Sequence, residues 1–289
     1  MDLSAELSEF LRSRRARLKP QDVGLPEFGR HRRVPGLRRE ELAQLAGVSV
    51  AYYTRLEQGN GRNVSMEVLD SIARALRLSD TERAHLTHLA KPTVKKRQRA
   101  AIARPQRVRP GVAHLLDAMT EVPALLLGRR LDILAWNRMA RAVFGDLETW
   151  EPRDRNMARM VFLDPNARDL YVEWECKAVE VVSALRLYAG CYPDDPELLA
   201  LVGELSVRSE EFRSLWAAHT VTDKGHGTKV LRHPLVGGMT LSYESLKVAG
   251  DDPDLMLVTY QAEPGSASAD ALRLLAQWGA EEPAGAVRE

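Results

Sequence analysis

The stretch from Gly36 to Gly59, GLRREELAQLAGVSVAYYTRLEQG, constrains this chain more than any other, because its spacing describes two short helices meeting across a tight turn. Leu42, Ala43, Leu45 and Ala46 recur at three- and four-residue intervals, so one stripe of the first helix packs inward while Arg38, Arg39, Glu40, Glu41 and Gln44 stay in water. Gly47 suits the turn, where a positive φ is unstrained only without a Cβ. Val48 fills the corner, Ser49 stands at the N-cap, and the second helix runs from about Val50 to Gln58 until Gly59 ends it. Tyr53 and Leu56 fall on its buried side. Val50, Ala51, Tyr52 and Arg55 face away, at the positions a recognition helix offers to the DNA major groove. Glycine turns also join helices in ordinary bundles. The Leu-Ala pair, the Gly-Val-Ser turn, the inward Tyr and Leu and the terminal Glu-Gln-Gly at fixed offsets favour the DNA reading.

A length of 289 residues fits about two domains. The net charge of +1 conceals a division: residues 1–110 carry 23 Lys and Arg against 12 Asp and Glu, leaving 18 of the 41 basic and 28 of the 40 acidic residues for 111–289. A basic front half suits a polyanion, since Lys and Arg neutralising phosphate supply most sequence-independent affinity. The two cysteines, Cys176 and Cys191, and the lack of a signal or membrane-spanning apolar run point to a reduced cytoplasmic protein.

Taken in order, residues Leu3 to Leu18 read as a helix with Leu3, Leu7, Phe10, Leu11 and Leu18 inward and Arg12, Arg14, Arg15, Arg17 and Lys19 outward; Pro20 stops it. A basic loop runs from Gln21 to Pro35, and Asn60 to Asn63 form a loop placed to meet phosphates. Ser65 caps one further helix and Thr81 another, completing an all-α five-helix domain over residues 1–90. Residues 91–110 form a basic linker. Beyond it, Val112 to Met119 is a short helix, and Ala124 to Leu127 with Leu131 to Ala135 flank Gly128-Arg129-Arg130 as a hairpin. Helices follow at Asn137 to Phe144, Asn156 to Phe162, one long one from Ala167 to Ala189, then Pro196 to Val207 and Glu210 to His219. Strands resume at Lys229 to His233, Met239 to Val248 and Leu255 to Ala262, with Gly237-Gly238 as a turn and a slip of apolar spacing before Leu246 that reads as a bulge. The unbroken run Leu255 to Val258 marks a central strand covered on both faces. A closing helix, Ala269 to Trp278, precedes a loose tail from residue 281. The second domain, residues 111–280, is therefore an α/β (α+β) fold with a five-stranded, mostly antiparallel sheet and inserted helices, a layout able to enclose a cavity.

No nucleophile elbow, phosphate loop, dinucleotide fingerprint or zinc-protease pattern occurs, so no catalytic residue is assigned. His85 and His88 lie three apart, and His219, His226 and His233 recur every seven residues near Asp223, but without companion ligands at a metal-site spacing. An effector pocket fits better: Trp136-Asn137 and Arg155-Asn156 place polar groups at element ends, an Arg able to take a carboxylate bidentately and an Asn able to donate an amide hydrogen. The plain alternative is that each Asn caps a helix and Arg155 pairs with Asp154 or another surface acid.

The front segment RRVPGLRREELAQLAGVSVAYYTRLEQG with EVLDSIARALRLSDTERAHL resembles the XRE-type helix-turn-helix domain of MmyB-like transcription regulators. The back segments LLLGRRLDILAWNRMARAVFGD, RNMARMVFLDP, ELSVRSEEFRSLWAAH, GTKVLRHPLVGGMTLSYESL and AEPGSASADALRLLAQW resemble that family's ligand-binding domain. The resemblance implies a PAS-like second domain, a fatty-acid-like effector and a role in transcription. Arg38, Arg39, Ser49, Val50, Ala51, Tyr52, Arg55, Arg62 and Asn63 make up the expected DNA-binding set, and Trp136, Asn137, Arg155, Asn156 and Arg159 the expected ligand-binding set. Val50 and Ala51 stand where XRE relatives commonly carry polar readers, which shifts base readout towards Arg55, Tyr52 and methyl contacts. The expected protein is a homodimer on a double-stranded DNA operator, away from membranes, needing no cofactor beyond a possible bound fatty acid. Two alternatives stand beside it: a back half that is a ligand-free interaction or dimerisation module, and one that is an enzyme fused to a DNA-binding domain.

Overall fold

The computed structural model describes residues 2–25, 36–61, 64–91, 105–222, 225–250 and 254–281. The basic loop's Arg30, His31, Arg32 and Arg33, most of the basic linker and the tail from 282 lie outside them. In chain order the helices are α1 (Leu3–Arg17), α2 (Arg39–Ala46), α3 (Val50–Glu57), α4 (Met66–Ala75), α5 (Asp80–Ala90), α6 (Pro110–Ala118), α7 (Arg138–Phe144), α8 (Met157–Leu163), α9 (Asn166–Leu170), α10 (Trp174–Cys191), α11 (Pro196–Arg208), α12 (Glu210–Ala217) and α13 (Ala267–Glu281). The strands are β1 (Ala124–Leu127), β2 (Ile133–Trp136), β3 (His226–His233), β4 (Gly237–Lys247) and β5 (Met256–Gln261). Among the described residues no helix is long and apolar enough to cross a membrane.

The chain divides into two compact units. One gathers residues 1–99 with 182–204 and 213–223; the other gathers 100–181, 205–212 and 224–289. In the first, Leu7, Phe10 and Leu11 of α1 meet Leu42 and Ala43 of α2, Tyr53 and Leu56 of α3, Leu69 and Ile72 of α4, and Leu86 and Leu89 of α5 in one apolar core. Two expectations there fail. Leu45 is 36% exposed, because an eight-residue helix whose Leu42, Ala43 and Ala46 already fill the inward arc leaves it at the edge. The cap of α5 is Ser79 rather than Thr81: the Ser79 hydroxyl accepts from the Glu82 amide at 3.2 Å while Glu82 accepts from the Ser79 amide at 2.9 Å, a reciprocal capping box.

The supposed outer arginines of α1 also differ. Arg14 is buried, its Nε 2.8 Å from Glu82 Oε1 in an ion pair and its Nη2 donating to the His219 carbonyl at 2.7 Å. Beside it Arg186 is buried as well, with its guanidinium on Glu6, on the Trp216 carbonyl and 2.9 Å from His219 Nδ1. Each buried cation is thus met by acceptors, as burial of charge demands.

The second unit is built on one antiparallel sheet of order β2-β1-β5-β4-β3, with α7 to α12 lying in sequence between β2 and β3. This is the five-stranded PAS-like layout anticipated, and the unalternating Leu257, Val258, Thr259 and Tyr260 are buried on the central strand β5. Three local readings are corrected. The long helix breaks into α9 and α10, because Tyr171 bridges to Leu231 and the Val172 amide donates to the Val230 carbonyl at 3.1 Å, so the edge of β3 takes the backbone groups a helix would use. The bulge in β4 is absent: its pairing with β5 runs without a shift from Ser242↔Gln261 to Lys247↔Met256, and Leu246 is simply exposed. A shift occurs instead in β1 against β2, between Leu126 and Leu127. The β3–β4 turn is Pro234–Val236, with both glycines already paired in β4.

Candidate nucleic-acid interface and effector cleft

The helix-turn-helix is held by local chemistry. Gly47 has a φ of 67°, and the Val48 amide donates back to the Ala43 carbonyl at 3.0 Å to close α2. Ser49 Oγ accepts from the Tyr52 amide at 3.1 Å and starts α3. Gly59, with φ 89°, ends the motif, and a Cβ there would lie 2.4 Å from the Ser4 carbonyl oxygen. With Tyr53 and Leu56 buried, α3 turns Val50, Ala51, Tyr52 and Arg55 outward, all exposed.

At the start of α2, Arg38 is exposed, and its backbone N–H donates to Glu41 Oε2 at 2.7 Å. Arg39 has a second tie. Its Nε donates to Glu57, a carboxylate with no exposure, whose other oxygen receives Arg15 Nε at 2.8 Å and Arg15 Nη2 at 2.7 Å. Arg15 also donates to the Leu37 carbonyl at 2.7 Å. Glu57 therefore links α1, α2 and α3 through two guanidinium groups, and sequence reading missed it. The signal was there: an acidic residue one position after the inward Leu56 needs a cation to be buried. Arg62 and Asn63 lie outside the described residues.

In the second unit Asn137 and Asn156 act as local anchors. Asn137, buried, accepts from the Ala140 and Ala124 amides at 2.8 and 3.0 Å and donates to the Val122 and Met119 carbonyls at 2.7 and 2.8 Å, so it caps α7 and ties down β1. Asn156 has no exposure. It accepts from the Ala158 and Arg159 amides and donates to the Arg130 carbonyl and Asp132 Oδ1, both at 2.8 Å. That grip fixes the β1–β2 connection, where Arg130 and Leu131 have φ of 56° and 65°. All four hydrogen-bonding sites of either amide are accounted for.

Arg155 does not pair with Asp154. Its Nε donates to the Leu147 and Trp150 carbonyls at 3.0 and 3.1 Å, with its guanidinium 5.3 Å above the half-buried Trp136 ring. Arg159 donates to the Arg153 carbonyl at 2.7 Å. The loop that Arg155 clasps is one wall of a cleft of ≈560 Å³. Phe144, Leu147, Trp150, Met160 and Leu170 supply apolar surface, and Asp146, Asp164, Asp169, Arg232 and His233 supply polar groups. None of the five expected ligand residues lines it; Arg159 lines a smaller cleft of ≈290 Å³ with Trp150, Leu163 and Arg208. His233 Nε2 lies 2.9 Å from the Ala142 carbonyl, while Nδ1 accepts from the Leu235 amide, an arrangement of a neutral ring protonated at Nε2. Burial accordingly holds His233 below the usual imidazole range. The cleft residues come from element ends far apart in sequence and share no spacing, so only the aromatic Trp150 within a polar loop hinted at them.

The histidines disperse. His85 is buried against Phe10 with neither ring nitrogen hydrogen-bonded, and burial pushes it down to about 3. His88 sits 3.6 Å from Cys191, and His219 meets Arg186. Among the described residues no group of three or more His, Cys, Asp or Glu is arranged to hold a metal ion.

Residues 6–86 match the helix-turn-helix domain family, and residues 108–275, more than half of the chain, match the MmyB-like transcription regulator ligand binding domain. No curated protein matches the sequence. A helix-turn-helix whose reading helix is turned to solvent, followed by that ligand-binding domain, makes this chain a member of the MmyB-like transcription regulators, which couple a DNA-binding domain to a ligand-sensing one.

Proposed function

We propose that the protein is a cytoplasmic, homodimeric, non-enzymatic regulator that reads a pseudo-palindromic operator with α3 and responds to a small amphipathic, fatty-acid-like effector held in the second unit. The observation that carries the DNA half is the outward face of α3, where Arg55 and Tyr52 stand beside the apolar Val50 and Ala51. Arg55 supplies the bidentate guanine contact, and the small apolar side chains supply thymine-methyl contacts. Ser49 and Arg38, at the helix starts, meet phosphate together with Arg39, Arg62 and Asn63. Two copies place their reading helices about 34 Å apart, one helical turn of DNA. For the effector half, the ≈560 Å³ cleft with mixed apolar and polar lining falls within the size range of small-molecule sites. Here Trp136, Arg155 and Asn156 serve as supports of the cleft wall rather than as direct contacts, with Asn137 behind them and Arg159 at its neighbour.

The test is Arg55→Ala measured against operator DNA at fixed salt. Affinity falls by about 1–3 kcal/mol and discrimination relaxes at one base pair; an unchanged affinity refutes the assignment. Arg38→Ala weakens all sequences alike and reduces the salt slope by about one. Purified protein that releases no lipid on denaturation and shows no thermal shift with dodecanoate turns the second unit into an interaction module.

A further inference from the structure

Beyond the cleft, the second unit buries a lysine that no acid among the described residues meets in an ion pair. Lys177 on α10 and Lys229 on β3 are both buried, and one carboxylate serves them: Glu180, one turn along α10, pairs with Lys229. Lys177 makes no ion pair or side-chain hydrogen bond among the described residues; its Nζ lies 5.4 Å from the centre of the Tyr171 ring. The Tyr171 hydroxyl, also buried, has no hydrogen-bond partner. Lys229 Nζ lies 5.0 Å from the Tyr243 ring. Two ammonium groups, one carboxylate and an unused phenol therefore share an interior region, and ring faces compensate a cation only in part.

We propose that Lys177, Tyr171 and Lys229 form an anion anchor that takes the carboxylate of a monoanionic amphiphile. This rests on reading the second unit as the effector domain. A carboxylate brings the missing negative charge and enough lone pairs to accept from the ammonium groups and the phenol together. Burial and the neighbouring Lys229 draw Lys177 down to about 8, which leaves the protonated form about tenfold in excess at pH 7. The anchor lies beside the cleft without lining it, so an amphiphile with its tail in the cleft reaches it only by parting the packing at Leu231. Lys229, Leu231 and His233 share the buried face of β3, so Lys229 lies about 13 Å along the strand from the cleft-lining His233. Apolar Leu231 stands between them, and Leu170, which precedes Tyr171, also lines the cleft.

A small free anion could satisfy the same chemistry, so the experiment carries both. Full-length protein stripped of bound lipid is titrated with sodium dodecanoate, dodecanol and sodium acetate, using wild type, Lys177→Met and Tyr171→Phe. Wild type binds dodecanoate about tenfold or more above dodecanol and takes no acetate in that range, Lys177→Met loses about tenfold for dodecanoate alone, and Tyr171→Phe loses less. Tyr171→Phe, which removes one hydroxyl, keeps the test open should Lys177→Met fail to fold. Unchanged dodecanoate binding in Lys177→Met and Tyr171→Phe overturns the anchor and leaves the effector reading standing. Acetate binding as tight as dodecanoate also overturns it, in favour of a small-anion site. Wild type that binds neither amphiphile overturns both proposals.

Discussion

Glu57 and Lys177 are both charges taken out of water, one in each unit, and they are treated in opposite ways. Glu57 is met on both carboxylate oxygens by Arg15 and Arg39, and the pairing ties three helices of the DNA-binding motif together. Lys177 faces a ring, another lysine and a carboxylate, Glu180, that is already paired with that lysine. A buried charge with its partners in place supports the fold; one without them is held there at a cost in free energy. The distinction follows from desolvation, which makes an uncompensated interior ion unfavourable unless a partner arrives.

The largest expected effect breaks the paired side. Glu57→Ala leaves the largely buried Arg15 without its carboxylate, while the exposed Arg39 keeps its hydration, and loss of one partner of a buried ion pair costs about 3–5 kcal/mol. Chemical denaturation of the first unit checks it, and a loss below about 1 kcal/mol would mean that Glu57 is a bystander. Lys177→Met works in the opposite direction, since replacing an unsatisfied buried ion by a hydrophobic residue of similar length is neutral or stabilising by about 1–4 kcal/mol. The sign has a pH signature. The Lys177 pKa is lowered from 10.5 to about 8, so between those values the unfolded chain binds more protons and wild-type stability rises with pH. Lys177→Met lacks that rise; if it keeps it, another group is responsible.

His85 gives the next smaller effect. It is buried near Arg14 and Arg186 and drawn down to about 3 from 6.5. Its contribution is complete above the unfolded pKa and is lost as pH falls from 6.5 towards about 3, because the unfolded chain takes the proton first. At pH 5 the loss is about 2 kcal/mol, at roughly 1.4 kcal/mol per pH unit. Unfolding midpoints of wild type and His85→Leu across pH 7 to 4.5 check it: the variant has the flatter profile, and parallel profiles would assign the acid sensitivity elsewhere. Asn156→Ala follows at about 1–2 kcal/mol, the range for losing a helix cap with additional bonds. Its loss is read in the second unit's thermal unfolding.

These cases explain which features were legible. The helix-turn-helix was, since its turn glycine, cap and inward residues lie within a dozen neighbours and obey one period. The sheet's central strand was too, because the apolar run Leu255 to Val258 shows no alternation, and its Leu257 and Val258, on neighbouring positions, are both buried. Partners distant in sequence were not. Arg14 and Arg15 read as solvated because Glu82 and Glu57, which receive them, stand far along the chain. Asn137 and Asn156 were visible as polar residues at element ends, but a cap and a ligand donor look alike until the carbonyls they reach are known. The break before α10 came from β3, some sixty residues on, and no local propensity encodes it.

Arg55 supplies the smallest effect on folding and completes the contrast. It is a cation that makes no ion pair among the described residues, as Lys177 is, yet it is exposed and keeps its hydration. Water therefore does for Arg55 what Arg15 and Arg39 do for Glu57. Arg55→Ala accordingly changes folding stability by no more than about 0.5 kcal/mol, the range for surface substitutions away from caps and networks. A larger loss in thermal unfolding would show that Arg55 supports the motif as Glu57 does, and the drop in operator affinity could then no longer be assigned to a lost base contact. If stability holds while affinity falls, the cation's role lies in the groove of the DNA, and α3 keeps its shape from Ser49, Tyr53, Leu56 and Glu57 alone.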